Sequence, residues 1–222
     1  MFTNYKNLNV GEKRMKLADI KGEYNQIFSL GENCIPALKL RKFNLRQQAG
    51  PFDWVGTPNL FKIIILFQSN FADFLKEENL EPLQYVNEDD ILVHDKLYNI
   101  GFNHDFKKDV NTLEHLGSLP QVQEKYQKRI NRFMEALSAS PNLLFIRTEA
   151  TLEGATELNN ELSHLVNNSY RLLIVNHAPV KEIIEQDWGI SNVCVLELPN
   201  DEIWDGNDHL WQSIFEGITL VK

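Results

Sequence analysis

Cys34 stands in "SLGENCIPALKL", where an apolar run stops at Gly31 and helical spacing begins. A thiol at that place can act as a nucleophile. The unpaired N–H groups and the dipole at a helix start favour the thiolate. The same N–H groups, with the turn at Gly31 and the amide of Asn33, can hold the oxyanion of a tetrahedral intermediate. The competing reading is a small core residue facing a sheet, which is how free cysteines are often used.

A thiol nucleophile needs a base, and six histidines compete. His115 and His164 fall in helical or linker patterns, and His94 in a strand. His177 follows Asn176 at a strand end. His104 lies in "GFNHDF" beside Asp105, and His209 in "WDGNDHLWQ" near Asp205 and Asp208. Neighbours in a strand point to opposite faces, so adjacency of His104 and Asp105 does not make them a pair. "GPFDWVGTP" has turn signals around Phe52, Asp53 and Trp54. Asp53 there can cap the following helix, orient a histidine or meet a substrate. The chain has no Cys-x-x-Cys, no His-Glu-x-x-His, no G-x-G-x-x-G and no Walker loop. Neither a metal nor a cofactor is expected.

These residues must be held by ordinary elements. "YNQIFSL" reads as a buried strand and "CIPALKLRKF" as a helix, with Pro36 suited to its first turn. "TPNLFKIIILFQSNFADFL" reads as a helix capped by Thr57 with Pro58 first. "LQYV" and "ILVHDKLYNIGFNHDF" suggest a hairpin or a pair of edge strands. "LPQVQEKYQKRINRFMEALSA" is amphipathic, with Val122, Tyr126, Ile130, Phe133 and Leu137 on one face. After it, strand and helix alternate: "NLLFIRT", "TELNNELSHLV", "YRLLIVNH", "VKEIIEQDW", "NVCVLEL", "DHLWQSIFEGI". Continuously apolar strands in that alternation imply a parallel sheet covered on both faces. The expectation is a polar N-terminal arm over 1–22 and a single α/β domain over 23–222. That domain would be a three-layer, Rossmann- or SGNH-like core with a helical and β-hairpin insertion at about 44–140. Its ligands would gather at the carboxyl ends of the strands.

The chain has 222 residues, 31 acidic against 22 basic, for a net charge of −9. A nucleic-acid binder would show a basic stripe, whereas "KLRKFNLR" and "KYQKR" read as polar helix faces. Cys34 and Cys194 are too few and too far apart for a disulfide framework, and Cys194 in "NVCVLEL" reads as core. The N-terminus has no signal-peptide pattern, and the most apolar window, "LFKIIILF", is short against the ~20 residues of a bilayer span. Neither nucleic acid nor a membrane is expected as a partner, and the expected place is the cytoplasm.

"FSLGENCIPALKLRKFNLRQQAGPFDW", then "GFNHDF", "EKYQKRINRF" and "LLFIR", together resemble a bacterial family of unknown function described as papain-like cysteine peptidases. The family pattern runs S-L-G-x-x-C, L-R, P-F-D-W, H-D-F, a basic helix and an apolar strand. The likeness covers roughly 27–147, and the combination is more specific than any one motif. It implies Cys34 as nucleophile and His104 as base, with Asp105 or Asp53 orienting, and a papain-like α+β fold as the alternative architecture. Where the family often has a serine before P-F-D-W, this chain has Ala49. The strand-Gly-x-x-Cys-helix opening also looks like the first block of SGNH-type esterases and acyltransferases, of which cysteine-containing relatives serve polysaccharide biosynthesis. Those enzymes take their histidine from a C-terminal Asp-x-x-His. Here Asp205 lies four before His209, one residue longer, which makes His209 the alternative base.

The expected function is a cysteine-dependent hydrolase working through an acyl-enzyme intermediate. Its site would be Cys34, His104 or His209, Asp105 and Asp53, with Asn33, Gly31 and Trp54 around the oxyanion and substrate. The substrate would be a small molecule, a peptide or a glycan. The alternatives are an SGNH-like esterase or acyltransferase, and a non-catalytic domain binding a glycan or nucleotide-sugar through Trp54, Trp204 and Trp211.

Overall fold

The computed structural model describes residues 15–221. The first half carries β1 (Gly22–Tyr24), β2 (Gln26–Ser29), α1 (Ile35–Lys42), β3 (Val55–Gly56), α2 (Leu60–Gln68), β4 (Leu80–Tyr85), β5 (Asp90–Asp95) and β6 (Ile100–Lys107). The second carries α3 (Leu119–Ala139), β7 (Asn142–Thr148), α4 (Leu152–Leu165), β8 (Ser169–Ala178), β9 (Ile184–Gln186), β10 (Val193–Pro199), α5 (Asp208–Phe215) and β11 (Ile218–Leu220).

The core sheet has the order β2-β7-β8-β10-β9. β2, β7, β8 and β10 run parallel, and β9 is an antiparallel edge. Alternate residues serve opposite faces, so each apolar strand feeds two cores. Phe28, Phe145, Leu172 and Val195 pack with α2, α3 and α4 on one face. Ile27, Leu144, Leu173 and Cys194 pack with α1 and α5 on the other. Cys194 is thus the core residue its apolar setting implies. A second, antiparallel sheet, β3-β6-β5-β4, is built by the segment between α1 and α3. The chain is therefore a mixed α/β structure in which a mostly parallel sheet stands beside an antiparallel one.

α3 joins the two. Val122, Tyr126, Ile130, Phe133 and Leu137 are all buried, as their three- and four-residue spacing requires. Phe133 meets Phe28 edge-on at 5.0 Å, Phe67 at 5.7 Å and Phe145 at 6.3 Å. Aromatic pairs of this kind add about 0.5–1.5 kcal/mol each beyond area burial. They lock the insertion to the sheet that carries Cys34.

Three expectations are corrected. "VKEIIEQDW" contains no helix: Ile184–Gln186 pairs with Val195–Glu197 as the edge strand β9. Thr57 does not cap α2; Asn59 does, accepting from the Lys62 N–H at 3.3 Å, because the Thr57 hydroxyl is taken by Arg147 at 2.7 Å. Of the arm expected over 1–22, residues 1–14 lie outside the described residues. Its remainder folds onto the core: Ile20 is buried, Tyr24 donates to the Ile20 carbonyl at 2.6 Å, and β1 pairs with β11. No helix among the described residues is long and apolar enough to cross a membrane.

Candidate active site

The turn that carries Cys34 is fixed from beneath. Arg147, at the carboxyl end of β7, is fully buried. It donates to the Leu30 carbonyl at 2.8 Å, the Thr57 hydroxyl at 2.7 Å and the Thr57 carbonyl at 2.7 Å. Burial holds its pKa down at about 10, against the pull of Glu32 and Glu149. Gly31 has φ +80°, and a Cβ there would lie 2.2 Å from the Thr57 hydroxyl oxygen. Gly31→Ala therefore meets both a left-handed backbone and an occupied space. A stability loss of about 2–4 kcal/mol is expected, read as a lower midpoint in urea. A midpoint like wild type would contradict this packing.

Cys34 is the residue at which α1 begins, and its side chain makes no capping bond. The capping is done by Asn33, whose Oδ1 accepts from the Ile35 N–H at 2.9 Å while its Nδ2 donates to Glu32 at 3.0 Å. The Asn33 amide is thus committed to the turn. The Gly31 N–H is also taken, by the Ser29 hydroxyl at 3.2 Å. The Cys34 N–H, like those of Glu32 and Asn33, has no acceptor among the described residues, so this turn has backbone donors to spare.

The half-buried Cys34 thiol opens on a cleft with two lobes. The larger, about 610 Å³, runs past Trp54, Asp105, Lys125 and Arg129. The smaller, about 360 Å³, runs past Asn33, Asn87 and Asn103. Cys34, His104 and Trp204 line both lobes. A reacting carbonyl at Cys34 would thus have room on either side of its scissile bond.

β6 brings His104 and Asp105 to this cleft together, against the alternation of an ideal strand. Ile91 pairs with Phe106 and Val93 with Phe102, so the single residue Leu92 faces three, Asn103 to Asp105. A bulge of that kind re-aims side chains. The two still do not form a dyad. Asp105 accepts from Tyr126 at 2.8 Å and pairs with Lys125. Asp90 lies on the neighbouring strand β5, paired with Lys107. Burial raises the Asp90 carboxyl, but Lys107 and Asn87, with His104 behind them, hold it below the usual carboxylate range. The exposed His104 ring makes no hydrogen bond among the described residues, and none joins it to the Cys34 sulfur. It lines both lobes together with Cys34.

The remaining expected residues lie elsewhere. Asp53 is buried and paired with Arg46 at 2.8 Å, where burial raises its carboxyl despite that partner. It ties down the loop bearing Trp54 and meets no histidine. Trp54 is held between Arg41, at 5.6 Å, and Arg46, at 5.2 Å. His209 lines a different groove, with Phe43, Leu45 and Gln212, and does not share the cleft. Trp211 is fully buried against Phe215 in the core, so only Trp54 and Trp204 are available to a ligand at Cys34. Sequence reasoning missed Arg41, Lys125, Arg129 and Asp90, which come from three separate elements. The helical spacing of Arg41, Lys125 and Arg129 marks them only as polar faces, and Asp90 opens the strand β5 outside any motif. Among the described residues no group of three or more His, Cys, Asp or Glu could hold a metal.

Burial pushes the Cys34 thiol up to about 11, and the charges of Asp105 and Asp53 add to it. Four pH units below that value, roughly one molecule in ten thousand carries a thiolate. Alkylation by iodoacetamide is expected to be slow near neutral pH and to keep rising beyond about pH 9, without a plateau. Cys194, pushed up to about 12 by full burial, should react only on unfolding. Peptide mapping of the alkylated sites reads both, and a Cys34 plateau near neutrality would contradict the expected protonation.

Residues 25–179 match the model of a family of domains of unknown function described as "Putative papain-like cysteine peptidase". An uncharacterized protein of Acanthamoeba polyphaga mimivirus is 27% identical over 160 residues, covering 64% of this chain and 71% of its own length. No solved structure matches the chain. The family match spans the Cys34 turn, the bulged His104 strand and the Arg147 support alike, and the chain belongs to that family.

Proposed function

We propose that the chain is a cysteine-dependent hydrolase in which Cys34 attacks an acyl carbonyl and forms an acyl-enzyme. The observation that carries the proposal is a thiol at a strand end and helix start, free of any capping role, on a cleft shared with an unengaged imidazole. A thiol held near 11 must lose its proton during attack, so a base has to act in the same step. His104 takes that proton as the sulfur–carbon bond forms, and Asp90 steadies the resulting imidazolium. The Cys34 N–H holds the oxyanion. On collapse, His104 returns the proton to the leaving group, and water then releases the acyl group. The smaller lobe favours a second reading of the last step, in which a bound acceptor replaces water.

Turnover of a simple thioester tests the assignment of the base. His104→Ala is expected to lower kcat by about 10²–10⁴, and His209→Ala to leave it unchanged. Loss with His209→Ala and not with His104→Ala would overturn it.

A further inference from the structure

We propose that the Cys34 cleft selects acyl substrates that carry an anionic group, a carboxylate or a phosphate, recognised by Arg129 and Arg41. The proposal rests on the hydrolase reading above and names the substrate class of that same site.

The chain as a whole carries a net charge of −9, yet its cleft is lined by Arg41, Lys125 and Arg129 against a single carboxylate, Asp105. Lys125 is already paired with that carboxylate. Arg129 also acts on the buried Asp53, but that carboxylate is already paired with Arg46, so Arg41 and Arg129 remain in excess over the carboxylates around the cleft.

Arg129 is also built to receive a partner. Its guanidinium lies over the Tyr126 ring at 5.0 Å. Its Nη1 is buried and has no hydrogen-bond partner among the described residues. Arg129 as a residue lines the cleft, and an oxyanion there can take charge-assisted bonds from the part of the guanidinium that the buried Nη1 leaves outward. Arg41 is held against Trp54 at 5.6 Å and lines the same lobe. Both cations and the thiol therefore face one space of about 610 Å³. The indoles of Trp54 and Trp204 give that space flat apolar walls for the carbon skeleton between the anionic group and the scissile carbonyl.

Tryptophan fluorescence of the full chain tests this without turnover. The chain is titrated with succinate and, separately, with inorganic phosphate at constant ionic strength. Both are repeated with Arg129→Gln, with Arg41→Gln and with Lys128→Gln, a charge-loss control on the solvent face of α3. Saturable changes are expected in wild type and Lys128→Gln. The midpoint should weaken about tenfold or more in Arg129→Gln, and in the same direction in Arg41→Gln. A tighter response to succinate assigns a carboxylate, and a tighter response to phosphate assigns a phosphate ester. No saturable change with either anion, or equal weakening in Lys128→Gln and Arg129→Gln, overturns the inference. Thioester turnover that needs Cys34 but shows no anion binding would sink this inference and spare the hydrolase. Anion binding with turnover that is indifferent to Cys34 would sink the hydrolase and spare the anion site.

Discussion

Cys34→Ala is expected to lower kcat for thioester or ester hydrolysis by about a thousandfold or more, with the fold intact. Both halves follow from the site. The sulfur is the only group at the turn that can form the acyl bond, and removing the nucleophile of such a constellation leaves only the catalysis supplied by binding and the oxyanion donor. The side chain makes no capping bond, because Asn33 caps α1, and it is half-buried rather than part of either core. Its truncation should therefore cost less than about 1 kcal/mol. Urea denaturation alongside the kinetics separates the two effects. A variant that loses activity only because it unfolds, or one that keeps its activity, would contradict the assignment. Cys34→Ser should also be strongly impaired, since the hydroxyl is a weaker nucleophile in a turn shaped around sulfur.

Arg147→Met is expected to cost about 3 kcal/mol or more, a large part of the roughly 5–15 kcal/mol that holds a domain together. The guanidinium makes three bonds, to the Leu30 carbonyl and to both oxygens of Thr57. Each buried acceptor left without a donor costs about 1–3 kcal/mol. The substitution also recovers the desolvation cost of a buried cation, so the net loss is smaller than the sum. The damage reaches the site as well. Leu30 and Thr57 flank the Gly31 turn, and the Thr57 N–H donates to the Glu32 carbonyl at 2.6 Å, two residues before the nucleophile. Arg147→Met should therefore lower kcat along with the denaturation midpoint, where Cys34→Ala lowers kcat alone. A loss of stability under about 1 kcal/mol would mean that Arg147 is not the rivet of the turn.

Much of this was legible where local rules decide the outcome. The apolar positions of α3 and the two-faced strands follow from periodicity alone, and so does a glycine between β2 and α1 ahead of the thiol. The local rules failed where a distant residue intervened. Thr57 looks like a helix cap until Arg147, 90 positions along, takes its hydroxyl. "VKEIIEQDW" has helical spacing, but its backbone is claimed by the open edge of β10, and a strand results. His104 and Asp105 should diverge, and a bulge that no residue type announces turns both toward one cleft. Asp105 reads as a partner for its neighbour and is instead engaged by Lys125 and Tyr126 of α3. The excess of positive charge in the cleft was hidden for the same reason, since α1 and α3 each show only an ordinary polar face.

The central claim is that Cys34 becomes acylated during turnover. Mixing the full chain with p-nitrophenyl acetate, quenching in acid and measuring the intact mass tests it most directly. The account predicts one acetyl group per chain, mapped by peptide digestion to Cys34, absent in Cys34→Ala and formed much more slowly in His104→Ala. An acetyl group on another residue, or one that forms equally well in Cys34→Ala, would contradict it.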